Sequence, residues 1–457
     1  MATAISNVEG KCKYIKDSKE SLYFRKVSFA YLFSLYVMPQ YFGIQLPFFD
    51  LTIVRFMIII MAVFIISSNQ RLTDFGKMLK TEKVARILLP YLFVVSYTMV
   101  FRADLKAFLN PFFEILEMFL LIYSIRDALG TKQTIRCIIG FLYLLTILGI
   151  VEAIFRVSPF SYLVTIPGLY TGRFIRGGHY RIMSNCNHSL GYGLLLVTAL
   201  PFAAYDYEKE EFDALFRPVL LALMIVNVFL TGSRSSLGVA IAEVFFIFAL
   251  SDIKYLRRNL LAIVGFGISF FMLLMLFQRT SVGRYILLQL TSLIDSFCGT
   301  EFSIKYGSNL KQLVQSAHYR KLIKKVYKVS WLNPLVGIGR KRGFSSVIDG
   351  LVVKSIDNFY IAEYVRYAYP GLIANLLFMA YMVLNMVCDA VRTRSALIRA
   401  LLIGTVFYCL HLEIADSLQT LKYLYIIFGL YICADKKEYV PETDPCRYIK
   451  KRKLRYA

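Results

Sequence analysis

The chain has 457 residues, 57% of them hydrophobic and only 18% charged, with a formal net charge of +23 at pH 7. A soluble protein of this length cannot hide so much apolar surface, and the apolar residues arrive in blocks of about 17 to 25, the length that crosses a bilayer as helix. That excludes a nucleic-acid reading of the positive charge and predicts an all-α, polytopic integral membrane protein.

Residues 1 to 26 form a polar, basic tail, so a cleavable signal peptide is not expected and the first apolar block is retained. Twelve spans are predicted, at 27 to 47, 51 to 68, 84 to 101, 105 to 125, 134 to 155, 185 to 205, 215 to 231, 235 to 251, 259 to 277, 366 to 390, 396 to 414 and 418 to 434. They group as helices one to nine over 27 to 277, a large extracytoplasmic loop over 278 to 355, helices ten to twelve over 356 to 434, and a basic tail over 435 to 457. With both termini cytoplasmic, the inner segments hold 30 of the 53 Lys and Arg, the long outer loop 13, and all other positions 10. Long loops are translocated whatever their charge, so the comparison of 30 with 10 sets the orientation. Eight scattered cysteines predict neither a disulfide framework nor a metal site.

The outer segment 156 to 184 carries Arg156, Arg173, Arg176 and Arg181 and no acid. Within it, Gly172-Arg173-Phe174-Ile175-Arg176-Gly177-Gly178-His179-Tyr180-Arg181 packs three guanidinium groups among flexible glycines. Such forks bind phosphate bidentately, and anchoring to lipid headgroups is the plainer alternative. Asn185, Asn187 and His188 follow at the start of the sixth span, where they fit either helix capping or substrate contact. Spans seven and eight are joined by Thr231-Gly232-Ser233-Arg234-Ser235-Ser236. Arg234 there has almost no loop in which to leave the bilayer boundary and needs an anionic partner.

In the long loop, residues 310 to 329 place Leu313, Ala317, Leu322 and Val326 at helical spacing beside Lys311, Arg320, Lys321, Lys324, Lys325 and Lys328. This predicts an amphipathic basic helix of the kind that lies on a membrane surface. Asn333-Pro334-Leu335-Val336-Gly337-Ile338-Gly339 is a turn segment, and Asp357-Asn358-Phe359-Tyr360 precedes Arg366 and Tyr369-Pro370-Gly371. Asp357 is an outer carboxylate amid positive charge, fitted either to proton transfer or to simple pairing. Of the acids inside apolar blocks, Glu114 and Glu117 share one helix face, with Glu152, Glu243 and Glu413 elsewhere. No partner for them is visible in the sequence.

In order, these features resemble the O-antigen ligase and Wzy-type polysaccharide polymerase family of bacterial envelope glycosyltransferases. Four matches carry the resemblance, and together they cover roughly residues 171 to 375. Residues 181 to 191 resemble the family's arginine and Asn-Pro-Asn-like span entrance, with Cys186 where proline is usual. Residues 231 to 237 are similar to its Gly-Ser-Arg turn. Ala317-His318-Tyr319-Arg320 with 333 to 339 looks like its Ser-Gly-Arg helix and Pro-Leu-x-Gly-x-Gly turn, and residues 357 to 371 match its His-Asn or Asp-Asn segment. Asp357 stands where ligases tend to carry histidine, which favours a polymerase.

The resemblance implies transfer of a polyprenyl-diphosphate-linked oligosaccharide onto the nonreducing end of another repeat unit, on the outer face of the bacterial cytoplasmic membrane. No metal, cofactor or nucleotide-sugar is implied, and a flippase and a chain-length regulator are implied partners. Arg181 and Arg234 would stabilise the departing diphosphate and Asp357 would take the acceptor's proton. Arg173, Arg176, Arg320, His188, His318 and Asn358 would contact substrate. A carrier for the same lipid-linked saccharides is the alternative from another class, though the repeated halves of many carriers are not seen. Ligation to a different acceptor differs only in what receives the sugar.

Overall fold

Every one of the twelve apolar blocks contains a helix. The computed structural model describes residues 19 to 46, 49 to 176, 179 to 307, 318 to 340 and 343 to 436. The helices are α1 (Lys19–Tyr36), α2 (Ile53–Ile66), α3 (Asn69–Thr81), α4 (Lys83–Arg102), α5 (Leu105–Ser124), α6 (Thr131–Phe155), α7 (Ser189–Ala199), α8 (Pro218–Leu230), α9 (Arg234–Ala249), α10 (Ile253–Phe277), α11 (Ser281–Cys298), α12 (Phe359–Thr393), α13 (Ala396–His411) and α14 (Leu421–Cys433). Strands among the described residues form only two-stranded hairpins, of which β1 (Gly43–Gln45) with β2 (Asp50–Thr52) borders the site below.

Among the described residues five helices are long and apolar enough to cross a membrane: α4, α5 with its continuation to Leu129, α6, α10 and α12. The pair α2 and α3 makes a sixth if its 110° bend is counted within one span, while α7, α8, α13 and α14 are apolar but shorter. Helix α10 makes the membrane argument most directly. Leu261, Phe266, Phe271, Met272 and Leu276 are all exposed, and only Asn259 on this helix is buried. An apolar helix so bare has a surface that lipid, not water, matches.

Three predicted segments are corrected. The span drawn over 27 to 47 ends at Tyr36, because Pro39 cannot continue the helix and Gly43–Gln45 pairs with Asp50–Thr52 instead. The stretch left between the predicted spans 51 to 68 and 84 to 101 is itself helical, forming α3. The tenth span begins at Phe359 rather than 366 and breaks at Ala368 (φ 57°, ψ −167°), two residues before Pro370.

That break leaves carbonyls without helical partners, and the 333 to 339 segment supplies them. Ile338 N–H donates to the Val365 carbonyl at 2.9 Å and Gly339 N–H to that of Arg366 at 3.0 Å, while Tyr369 N–H donates to the Pro334 carbonyl. From α4, Tyr97 Oη donates to the Leu335 carbonyl, and Arg102 to those of Val336 and Gly337. Irregular backbone at this depth persists because protein satisfies it.

Polar contacts sort the connections into two ends. At one end, Arg126 pairs with Glu82, Arg136 with Glu208, Lys254 with Glu211 and Arg399 with Asp252. At the other, Gln40 reaches residue 419, Arg102 the loop at 336 and 337, Arg181 residue 231, and Asn358 residue 413. Helices such as α4, about 30 Å long, run between them.

The basic amphipathic helix is also corrected. Residues 310 to 317 lie outside the described residues; from His318 to Lys328 the chain is helical, ending in a 3-10 turn. Leu322, Ile323 and Val326 are buried against Ile361, Tyr364 and Val365 of α12. Its apolar face is therefore spent on protein, with Lys321, Lys324 and Lys325 turned outward.

Candidate functional site

A cavity of about 320 Å³ opens at the end of the bundle that carries residues 40, 110, 187 and 419. Arg55, Lys106, Arg340 and Arg366 line it together with Asp50, Glu114, Glu117 and Asp416, and the amides of Gln40, Asn110, Asn187 and Gln419 complete its polar wall. Phe49 and Phe113 contribute aromatic surface. Four cations and four acids in one cleft, with amides and rings between them, suit a ligand that is both hydroxylated and charged.

Five of the eight charged groups, Arg55, Glu114, Arg340, Arg366 and Asp416, are positioned by identifiable contacts. Arg340 is 4% exposed and grips Glu114 of α5 through two bonds, Nη1 to Oε1 at 2.6 Å and Nη2 to Oε2 at 3.1 Å. Burial works against its charge, but the Glu114 carboxylate, Tyr367 and Tyr91 together push the Arg340 pKa above its ordinary value. Arg366 lies between Glu363, at 3.3 Å, and Asp416. Glu363 also accepts from Tyr91 Oη at 3.0 Å. Arg55 spends two N–H groups on neutral oxygens, the Asp50 carbonyl and Asn110 Oδ1, each at 2.7 Å. Its guanidinium also lies over the Phe113 ring.

None of the residues expected from sequence to carry the chemistry lines this cavity, although Asn187, adjacent to His188, does. Arg181 and the 231 to 234 turn are brought together. Arg181 is buried, its Nε donates to the Thr231 carbonyl at 2.6 Å, and its guanidinium covers Phe174. Gly232 sits at φ 59°, and a Cβ there would stand 3.2 Å from Arg181 Cγ, so the close approach needs glycine. Ser233 caps α9, whose first residue is Arg234. His188 caps α7 through Nδ1, accepting from Leu190 N–H at 3.1 Å, and its ring packs on Phe174. The loop that carries Arg181 also sends Leu169 and Asn187 to the cavity wall, so the two clusters share one segment.

The remaining candidates stand apart. Arg173 lies 6.0 Å from the Tyr180 ring centroid, and the Arg176 side chain lies outside the described residues. His318 and Arg320 are exposed on the 318 to 328 segment. Asp357 is exposed and accepts from Ser355 Oγ at 2.9 Å. Asn358 caps α12, accepting from Ile361 N–H while its amide donates to the Glu413 carbonyl and carboxylate. Asn358→Ala is expected to cost about 1 to 2 kcal/mol, read as a lower unfolding midpoint, with Asn358→Ser recovering the cap without placing a second carboxylate beside Glu413.

Sequence reasoning passed over Asp50, Arg55, Arg340, Glu363 and Asp416. Arg55 had a usable signal, a cation inside an apolar block, which in a bilayer marks a functional position by default. Glu152 is explained structurally: it accepts from Tyr180 Oη and from the N–H groups of Met183 and Ser184 at 2.8 to 2.9 Å, clamping the Arg181 loop. Among the described residues no cluster could hold a metal ion. No protein-family model matches the chain, and no curated protein matches it either.

Proposed function

We propose that the protein is a membrane-embedded polysaccharide polymerase with twelve membrane passes and both termini in the cytoplasm. It transfers a polyprenyl-diphosphate-linked oligosaccharide onto the nonreducing end of another lipid-linked repeat unit, at the outer face of the bacterial cytoplasmic membrane. The observation that supports this best is the cavity. It joins fixed cations, carboxylates, amides and aromatic rings at the end of the bundle formed by the segments that positive charge assigns to the outside.

The chemistry asks for little else. The acceptor hydroxyl oxygen bonds to the anomeric carbon, the bond from that carbon to the diphosphate oxygen breaks, and the electron pair leaves with the diphosphate. Cations already in place when that charge develops lower the barrier without reorganising. Arg55 and Lys106 are the candidates, since Arg340 and Arg366 are engaged with carboxylates. Arg181 ties the segment that sends Leu169 and Asn187 to the wall onto the 231 to 234 turn.

The test is elongation of lipid-linked repeat units by purified protein in liposomes. Wild-type protein is expected to build a ladder of products, and Arg55→Ala to slow it about 10²- to 10³-fold. Movement of the lipid-linked unit between leaflets without lengthening would identify a carrier, and transfer only to another acceptor would identify a ligase.

A further inference from the structure

Of the four acids in the cavity, two are committed: Glu114 to Arg340 and Asp416 to Arg366. Asp50 is half-buried beside β1. Glu117 differs from all three. It is 6% exposed, makes no ion pair within 4 Å among the described residues, and its buried Oε1 has no hydrogen-bond partner among them. A carboxylate buried without hydrogen bonds is costly to keep, and in a membrane protein such a group marks function unless a partner explains it. Glu117 stands one helical turn beyond Glu114 on α5, on the same face and deeper in the cavity wall.

Its surroundings suit a group that gains and loses a proton. Lys422 of α14 is 5% exposed, within electrostatic reach of Glu117, and its ammonium donates to the Met38 carbonyl at 3.4 Å. Arg55 and Glu114 are the other charged groups that act on Glu117 electrostatically. Other buried polar atoms without a partner among the described residues belong to residues of the same wall: Ser417 Oγ, Asn187 Oδ1, Asp416 Oδ1 and Arg340 Nε. They are donors and acceptors of the kind that sugar hydroxyls satisfy.

We infer that Glu117 is the catalytic base of the transfer, with the terminal sugar of the acceptor inserted into this cavity so that its attacking hydroxyl meets the Glu117 carboxylate. As the hydroxyl oxygen bonds to the anomeric carbon, its proton passes to Glu117 and the electron pair of the broken bond leaves on the lipid diphosphate. Release of product returns the proton to water. The inference rests on the transfer reaction proposed above and assigns the acceptor to the cavity's inner part and the diphosphate to Arg55 and Lys106.

The test uses full-length protein in liposomes with lipid-linked repeat units, wild type and Glu117→Gln side by side. Glu117→Gln is expected to bind the lipid-linked unit within about twofold of wild type and to elongate it about 10²- to 10⁴-fold more slowly. Wild-type turnover in Glu117→Gln overturns the assignment, and so does loss of binding in step with turnover, which would make Glu117 structural. Glu117→Asp guards against a misfolded Gln variant. It is expected to retain a reduced kcat with a displaced pH profile, and a profile coincident with wild type at full rate overturns the role. Absence of elongation by the wild type itself would overturn the polymerase reading and the base with it.

Discussion

Glu114→Ala protein is expected to unfold about 3 to 5 kcal/mol more readily than wild type, because it strands a buried charge. Arg340 is 4% exposed and its fork is matched to both Glu114 oxygens, while its ring neighbour Tyr367 lies 5.9 Å away. With the carboxylate gone, the guanidinium has left water without compensation. Removing both members is milder, so Glu114→Ala with Arg340→Leu is expected to recover more than half of the loss. Thermal unfolding in one detergent reads both. A single-variant loss below about 1 kcal/mol would mean that the pair is wet and exposed, like an ordinary surface bridge.

Gly337→Ala is expected to damage the fold by at least about 3 kcal/mol, although the change is one methyl group. A Cβ at this position would stand 2.1 Å from the Arg366 carbonyl oxygen, 2.2 Å from its carbon and 2.4 Å from Tyr367 N. All three are backbone atoms, so no rotamer change relieves the clash. The segment would have to leave α12, breaking the bonds from Ile338 and Gly339 that satisfy the carbonyls at the Ala368 break. Arg340, one residue further on, would be carried away from Glu114. Gly168→Ala is the control, since a Cβ there meets nothing within 4 Å. Size-exclusion profiles of the two variants read the difference. A sharp, wild-type peak for Gly337→Ala would show that the loop docks less tightly than its hydrogen bonds imply.

The helices were legible because burial in lipid or protein leaves a continuous apolar run: α6 and α9 lie where their runs predict, while α10 ends as predicted at Phe277 but begins at Ile253 rather than 259. The ends were less so. Gly43–Gln45 falls inside the apolar run drawn over 27 to 47, and its pairing with Asp50–Thr52 makes it a strand. The basic segment after residue 318 shows how an amphipathic pattern identifies a face without identifying what covers it: Leu322 and Val326 pack on α12 rather than on lipid.

The cavity was illegible for a further reason. Glu114 and Glu117 were visible as acids on one face, but the partner of Glu114 lies 226 residues away, and Asp416 reaches Arg366 across 50. Pairings at such separation leave no local spacing to read. Asp357 drew attention for its charge and position, but it is an exposed acid hydrogen-bonded to Ser355. Arg181 and the turn at 231 to 234 could be singled out separately, yet only Gly232 at positive φ brings them into contact.

The break at Ala368 also sets a depth gauge. Helix α12 has 35 residues, which would stretch about 52 Å if straight, far beyond the roughly 30 Å of a bilayer's hydrocarbon. Bending there divides it into a portion after Ala368 of about 37 Å, matched to a membrane by modest tilt, and a short leading portion that carries Glu363 and Arg366. The Arg366 pair with Asp416 is thereby carried on the short leading portion, just before the long one begins. A bilayer that matched the long portion would therefore set the cavity's level as well, because the two are joined at one hinge.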